Sequence, residues 1–217
     1  MKFKAVVFDL DGTLINSLED LGDSMNAALA ANGLPTHPYE DFKLMIGNGV
    51  TNLAKRACGS EEPAVYEPVL KAMRENYSKN ALNKTYVYPG IHELIAYLRQ
   101  RNIKLAVLTN KDQGFSVHII DHYFKGGTFE IVWGAAPGRA IKPDPAALSQ
   151  LLEQLNVTAQ QTIFIGDSGV DMQVAGAVGA YAAGANWGLR PREELLANGA
   201  DIIIDTPMEL LAVIEQA

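Results

Sequence analysis

Cysteine is almost missing. Cys58 is alone among 217 residues, which excludes an internal disulfide and any metal site built from a cysteine cluster; the thiol reads as a small apolar filler. The histidines His37, His92, His118 and His122 do not fall at metal-ligand spacing, so a nitrogen-ligated centre is not expected. Positive charge is also short: 18 Lys and Arg stand against 25 Asp and Glu, a net charge of −7. That balance disfavours non-specific binding to nucleic acid or an anionic membrane. A small anionic substrate is not excluded, because it responds to the local field of a cleft. No apolar run reaches the roughly 18 residues of a membrane span, and Met1-Lys2-Phe3-Lys4 runs straight into a strand pattern. The expectation is a soluble, cytoplasmic protein, monomer or homodimer, without nucleic-acid or membrane partners. No internal repeat, linker or low-complexity segment is found.

With 48% hydrophobic residues the chain can bury an ordinary core. The stretch Val6-Val7-Phe8-Asp9-Leu10-Asp11-Gly12-Thr13-Leu14 organises it. Its apolar start reads as a strand buried on both faces, and Gly12 permits a sharp departure from it. Two acids at the carboxyl end of such a strand stand where open α/β sheets bind ligands, and they repel each other unless a cation or proton lies between. After Ser17, an expected N-cap, helical periods continue to about Asn83, with Asn32-Gly33 and Gly59 as stops. From Tyr86, strand and helix patterns alternate: strands at 104–109, 130–133, 162–165, 181–183 and 202–204, helices between, and Asp144 capping the helix from Pro145. The pattern predicts a doubly wound, Rossmann-like parallel sheet formed by residues 1–16 and 84–217, with an all-helical insertion over 17–83.

Further strand ends carry polar groups: Thr109-Asn110 and Asp167, with Lys142 in a loop and Asp171 four residues after Asp167. The carboxyl ends of neighbouring strands lie together, so these residues can converge. Oxygen ligands suit a hard cation such as Mg²⁺. A hydroxyl, an amide and an ammonium are the donors a transferring phosphoryl group requires. Each residue also has a plainer explanation: a turn pair for Asp9 and Asp11, a cap for Thr109, a solvated loop lysine for Lys142, a first-turn acid for Asp171.

The set Asp9-Leu10-Asp11-Gly12-Thr13, Thr109-Asn110, Lys142-Pro143 and Gly166-Asp167-Ser168 with Asp171 resembles, in order, the four motifs of the haloacid dehalogenase superfamily. The insertion resembles that superfamily's helical cap. Asn16 through Leu21, Gly47-Asn48-Gly49, Tyr88-Pro89-Gly90 and Thr109-Asn110-Lys111 are most similar to its phosphoglycolate phosphatases. The resemblance implies a Mg²⁺-dependent phosphate-monoester hydrolase acting on a small phosphorylated metabolite, with 2-phosphoglycolate as the leading substrate. It implies that Asp9 is the nucleophile and Asp11 the acid and then the base. Mg²⁺ would be held by Asp9, the Asp11 carbonyl and Asp167, with Asp171 behind. Thr109, Asn110 and Lys142 would bind phosphate.

Gly47, Asn48, Gly49 and Lys111 are candidates for substrate selection; the glycine segment is equally explained as a plain turn, and Lys111, like Lys43, Lys55 and Arg56, as a surface cation. A sugar phosphomutase and a broad sugar or nucleotide phosphatase remain open. A phosphorylated receiver domain also joins a strand-end Asp to Mg²⁺, Thr and Lys, but it lacks an equivalent of Asp11. Asn16 departs from an acid in many relatives, and the loop Gly184 to Gly188 matches only loosely; neither is expected to touch the core chemistry.

Overall fold

The computed structural model describes residues 2–216, and the chain divides into two compact units: Met1–Ile15 with Val87–Ala217, and Asn16–Tyr86. The first unit begins with β1 (Ala5–Phe8), and the chain passes between units at β2 (Ile15–Asn16) and β3 (Tyr86–Val87), which pair as a two-stranded ribbon. The second unit holds α1 (Leu18–Ala31), α2 (Tyr39–Met45), α3 (Val50–Cys58) and α4 (Pro63–Asn80). The first resumes with α5 (Ile91–Gln100), β4 (Lys104–Asp112), α6 (Gln113–Tyr123), β5 (Ile131–Ala135), α7 (Pro145–Leu155), β6 (Thr162–Gly166), α8 (Gly169–Val178), β7 (Tyr181–Ala185), α9 (Arg192–Ala197), β8 (Ile202–Ile204) and α10 (Leu210–Glu215).

Six strands of the first unit form a parallel sheet in the order β5-β4-β1-β6-β7-β8. The expected doubly wound sheet is therefore present. Successive side chains of a strand point to opposite faces, and Ala5, Val6, Val7 and Phe8 are all fully buried, so β1 is covered on both sides. One face packs Ala5, Val7, Ala106, Leu108 and Phe164 against Leu148, Leu151 and Leu155 of α7 and Met172 and Ala175 of α8. Helix α7 starts where expected: Asp144 accepts the Ala146 amide at 2.8 Å.

The topology places the site. From β1 the chain goes first to β4 and β5 on one side, and later to β6, β7 and β8 on the other, so β1 stands at the switch point where a crevice opens beyond the strand ends. Phe8 is level with Val107 on β4 and with Ile165 on β6. Asp9, Thr109 and Asp167 thus leave three adjacent strands within a residue or two of the same level. Strand β4 does not end at Thr109 as expected. It continues to Asp112 with a register shift against β5 between Leu108 and Asp112, the kind of irregularity that re-aims side chains beside active sites.

In the second unit, Met25, Leu29, Phe42, Leu53, Val69, Met73 and Tyr77 form the buried stripe faces. Asp20 is buried there and accepts from the Lys84 and Thr85 amides and the Thr85 hydroxyl at 2.7–3.0 Å, which ties the end of the unit to its beginning. Ser17 makes no side-chain cap bond to α1; instead Asn16 Oδ1 accepts the Leu18 amide at 3.1 Å and its Nδ2 donates to Tyr86 Oη at 3.1 Å. Helices α2 and α9 are short and carry no clear apolar period; α2 falls within the helical insertion expected over 17–83, and α9 was not expected.

Leu151 is fully buried between α7 and the sheet. Leu151→Ala is expected to cost about 2–5 kcal/mol, read as a lower denaturant midpoint at unchanged slope in equilibrium unfolding.

Candidate active site

Burial governs the centre of the site. Asp9 follows β1, and its amide extends the ladder by donating to Ile165 O at 2.9 Å. Asp167 follows β6. Asp171 lies in the first turn of α8, where Oδ2 accepts from the Ser168 amide at 3.0 Å and hydroxyl at 2.6 Å. Asp171 therefore does serve as the first-turn acid, and that bond holds it in place. All three are buried, and one carboxylate oxygen from each lies within 4.8 Å of the others.

Lys142 is buried among them, with Nζ 2.8 Å from Asp9 Oδ1 and 2.6 Å from Asp171 Oδ1. Asn110 fixes its position. Asn110 Oδ1 accepts the Lys142 amide at 2.8 Å and Nδ2 donates to the Lys142 carbonyl at 2.9 Å. The Asn110 side chain is thus engaged with the backbone of Lys142. Thr109 is buried beside it, and its Oγ1 accepts the Lys111 amide at 3.3 Å.

The titration behaviour follows from these contacts. Burial, aided by the Asp171 charge, pushes Asp9 up to about 6 against the pull of Lys142. Lys142 acts to lower the Asp9 pKa, but desolvation outweighs it. Asp167 is pushed well above the usual carboxylate range, by burial first and then by Asp171 and Asp9. Burial draws Lys142 down, yet the Asp171 and Asp9 charges more than offset this and its pKa is raised, so it remains an ammonium.

The second acid of the opening motif stands apart. Asp11 is not in the three-carboxylate group; Lys111 Nζ donates to its Oδ1 at 2.9 Å and its Oδ2 at 3.0 Å. The sequence had offered Lys111 as a cation for substrate or as a plain surface cation, and not as a partner of Asp11. Gly12, with φ of +83°, turns the chain here, and a Cβ on it would lie 2.1 Å from Asp167 Oδ2. Both the conformation and the close approach require glycine at that position.

The loop after β7 was expected to lie clear of the chemistry and does not. Leu189 donates its amide to Asp167 Oδ2 at 2.8 Å, and Trp187 Nε1 donates to Thr13 O at 3.1 Å. A backbone donor has no residue-type signature, so only the spacing after β7 could have pointed to it. Gly47, Asn48 and Gly49 belong to the second unit, at the α2–α3 junction, where Asn48 O accepts from Asn52 Nδ2 at 2.8 Å.

A donor set of buried carboxylates with no nitrogen or sulfur ligand fits a hard divalent cation. The carboxylates that burial and mutual repulsion push upward are the ones such a charge would return to the ionised form.

A parallel sheet with buried carboxylates and an ammonium gathered at its switch point is the haloacid dehalogenase type of Rossmann-like fold. Residues 6–185 match the family model for haloacid dehalogenase-like hydrolases, and the chain belongs to that family. It is 32% identical over 214 residues to a phosphoglycolate phosphatase of Pseudomonas putida, covering 96% of this chain and 78% of the relative. It is 32% identical over 221 residues to a phosphoglycolate phosphatase of Haemophilus influenzae, covering 98% and 99%. Among solved structures, one from Haemophilus somnus described as a predicted phosphoglycolate phosphatase superposes with a TM-score of 0.91 at 28% identity, over 99% of both chains. The protein is a phosphatase, a phosphoric monoester hydrolase.

In the unfolded chain aspartates titrate near 4, so the raised values of Asp9 and Asp167 favour the folded state at low pH. That contribution is lost as pH rises through about 6 for Asp9, and Asp167, raised in the same direction, adds to it with the same sign. Thermal melts in chelator and in Mg²⁺ check this. The stabilisation by Mg²⁺ is expected to be larger at pH 7.5 than at pH 5, on the order of a few degrees. An equal shift at both pH values would show that these carboxylates are not the site of binding.

Proposed function

We propose that the protein hydrolyses 2-phosphoglycolate, using Mg²⁺ and a phosphorylated Asp9. The observation that carries this reading is the buried group of Asp9, Asp167 and Asp171 with Lys142 inside it, taken with relatives that are named phosphoglycolate phosphatases. Asp9 carries a carboxylate at the strand end, and attack of its oxygen on phosphorus in line with the ester oxygen forms an aspartyl-phosphate and releases the alcohol. Asp11 delivers the proton that the departing alkoxide needs. It then takes one from the water that attacks the aspartyl-phosphate, so that phosphate leaves and Asp9 is restored.

Lys142 neutralises charge between Asp9 and the phosphoryl oxygens. The Thr109 hydroxyl and the amides of Leu10 and Asn110 donate to those oxygens as their charge redistributes. The metal would be held by Asp9, Asp167 and the Asp11 carbonyl, with Asp171 orienting that set. When bound, it neutralises phosphoryl charge and keeps Asp9 ionised. Residues 17–83, the helical insertion, are assigned the part of a substrate-selecting cap, Gly47, Asn48 and Gly49 included. The proposed setting is cytoplasmic.

A phosphate-release panel tests the reading: 2-phosphoglycolate, hexose phosphates and nucleoside monophosphates, each with Mg²⁺ and with chelator. The highest kcat/KM is expected for 2-phosphoglycolate, with activity lost in chelator and restored by Mg²⁺. Asp9→Asn is expected to lower kcat by more than about 10³-fold, within the range found for loss of a nucleophile. A flat substrate profile would overturn the substrate, and full turnover by Asp9→Asn would overturn the mechanism.

A further inference from the structure

The Asp11–Lys111 pair bears on which leaving group the site accepts. The Lys111 side chain is only 6% exposed and that of Asp11 13%. The pair is held within the first unit from several directions. Strand β4 continues past Thr109 through its shifted register to carry Lys111. Ser116 Oγ donates to the Lys111 carbonyl at 3.3 Å. Gly134 of β5 packs so closely that a Cβ on it would lie 2.5 Å from the Lys111 carbonyl oxygen. Lys111 is therefore a built part of the site rather than a surface cation.

Its ammonium spans both oxygens of Asp11, at 2.9 and 3.0 Å. On the reading above, Asp11 must present one of those oxygens to the ester oxygen of the leaving alcohol. Lys111 then has to yield one of its two contacts with the carboxylate. A buried ammonium loses several kcal/mol when its acceptors are removed without replacement. A leaving group that brings its own carboxylate, two bonds from the ester oxygen, supplies the replacement. A neutral alkyl or sugar leaving group offers only hydroxyls, which hydrogen-bond an ammonium more weakly than a carboxylate does.

We propose that Lys111 is the specificity-determining cation of this site, exchanging an Asp11 oxygen for the carboxylate of an α-phosphorylated hydroxy acid. The inference rests on the proposed hydrolysis of 2-phosphoglycolate and adds to it the group that reads the acid. It assigns selection of the carboxylate to β4, inside the sheet unit. Lys111 consequently has two acceptors in succession: Asp11 in the free protein, and substrate together with one Asp11 oxygen in the complex.

The test compares 2-phosphoglycolate with its neutral carboxamide, the two esters assayed on one preparation of each protein. The ratio of their kcat/KM values is independent of the folded fraction, so a destabilised variant remains informative. The wild-type protein is expected to prefer the carboxylate by about 10–100-fold, the worth of one charge-assisted hydrogen bond. Lys111→Met is expected to bring that ratio near one, mainly through KM for the carboxylate, and Lys111→Arg to keep most of it.

An unchanged ratio in Lys111→Met, with both esters slowed equally, would reduce Lys111 to a support for Asp11 and overturn the inference alone. No preference for the carboxylate in the wild type would overturn the substrate reading and this inference together. If Lys111→Met yields no active protein, Lys111→Gln takes its place under the same criteria.

Discussion

Three carboxylates and one ammonium share a space from which water is largely excluded, and the rest of the sheet unit is arranged to hold them there. Asp9, Asp167 and Asp171 would separate if they were free to do so. They stay together because each is anchored through its own backbone or by a bond from a different element: Asp9 by the ladder to β6, Asp171 by Ser168, Asp167 by the Leu189 amide. Burial first, and then the neighbouring carboxylate charges, keep Asp9 and Asp167 displaced upward against the pull of Lys142. The folded chain thus stores an electrostatic deficit, at the place where a divalent charge and a phosphate would both be welcome.

The sheet meets this demand through topology rather than local sequence. Strands β4, β1 and β6 are adjacent, and the chain order that makes them so also opens a crevice beyond their ends. The residues placed there come from well-separated parts of the sequence, yet parallel register sets their heights to within a residue or two. The strands also have the right composition for the task. Fully buried runs such as Ala5–Phe8 contribute no polar group of their own, and Asp9 and Asp167 are the first ionisable side chains after β1 and β6.

This arrangement explains what could be read from the sequence. The strands, the alternation that makes the sheet parallel and the acids at Asp9 and Asp167 were legible because each depends on residue type at a strand or strand end. Lys142 was legible through its place in the order of motifs. The pairing of Lys111 with Asp11 was not, because nothing local to either residue announces a partner a hundred positions away. The Leu189 contact was hidden for a different reason: its donor is a backbone amide that any residue other than proline could provide. Strand β4 was cut short in the reading because Thr109-Asn110-Lys111 looks polar, whereas in the fold those residues are buried and answer to the site. Helices α2 and α9, of seven and six residues, are too short to display a period.

The amide of Asn110 has an architectural consequence. By meeting both the N–H and the C=O of Lys142, it behaves as a single residue of neighbouring strand and gives the lysine a berth on the sheet without a strand of its own. The separation between the Thr109 hydroxyl and the Lys142 ammonium is then set by one side chain instead of by the intervening polypeptide. Residues 136–141 are released from any duty as a ruler. They can lengthen, shorten or change composition while the Thr109 hydroxyl and the Lys142 ammonium stay in step, which lets the rim of the crevice diversify around a chemical centre that does not move.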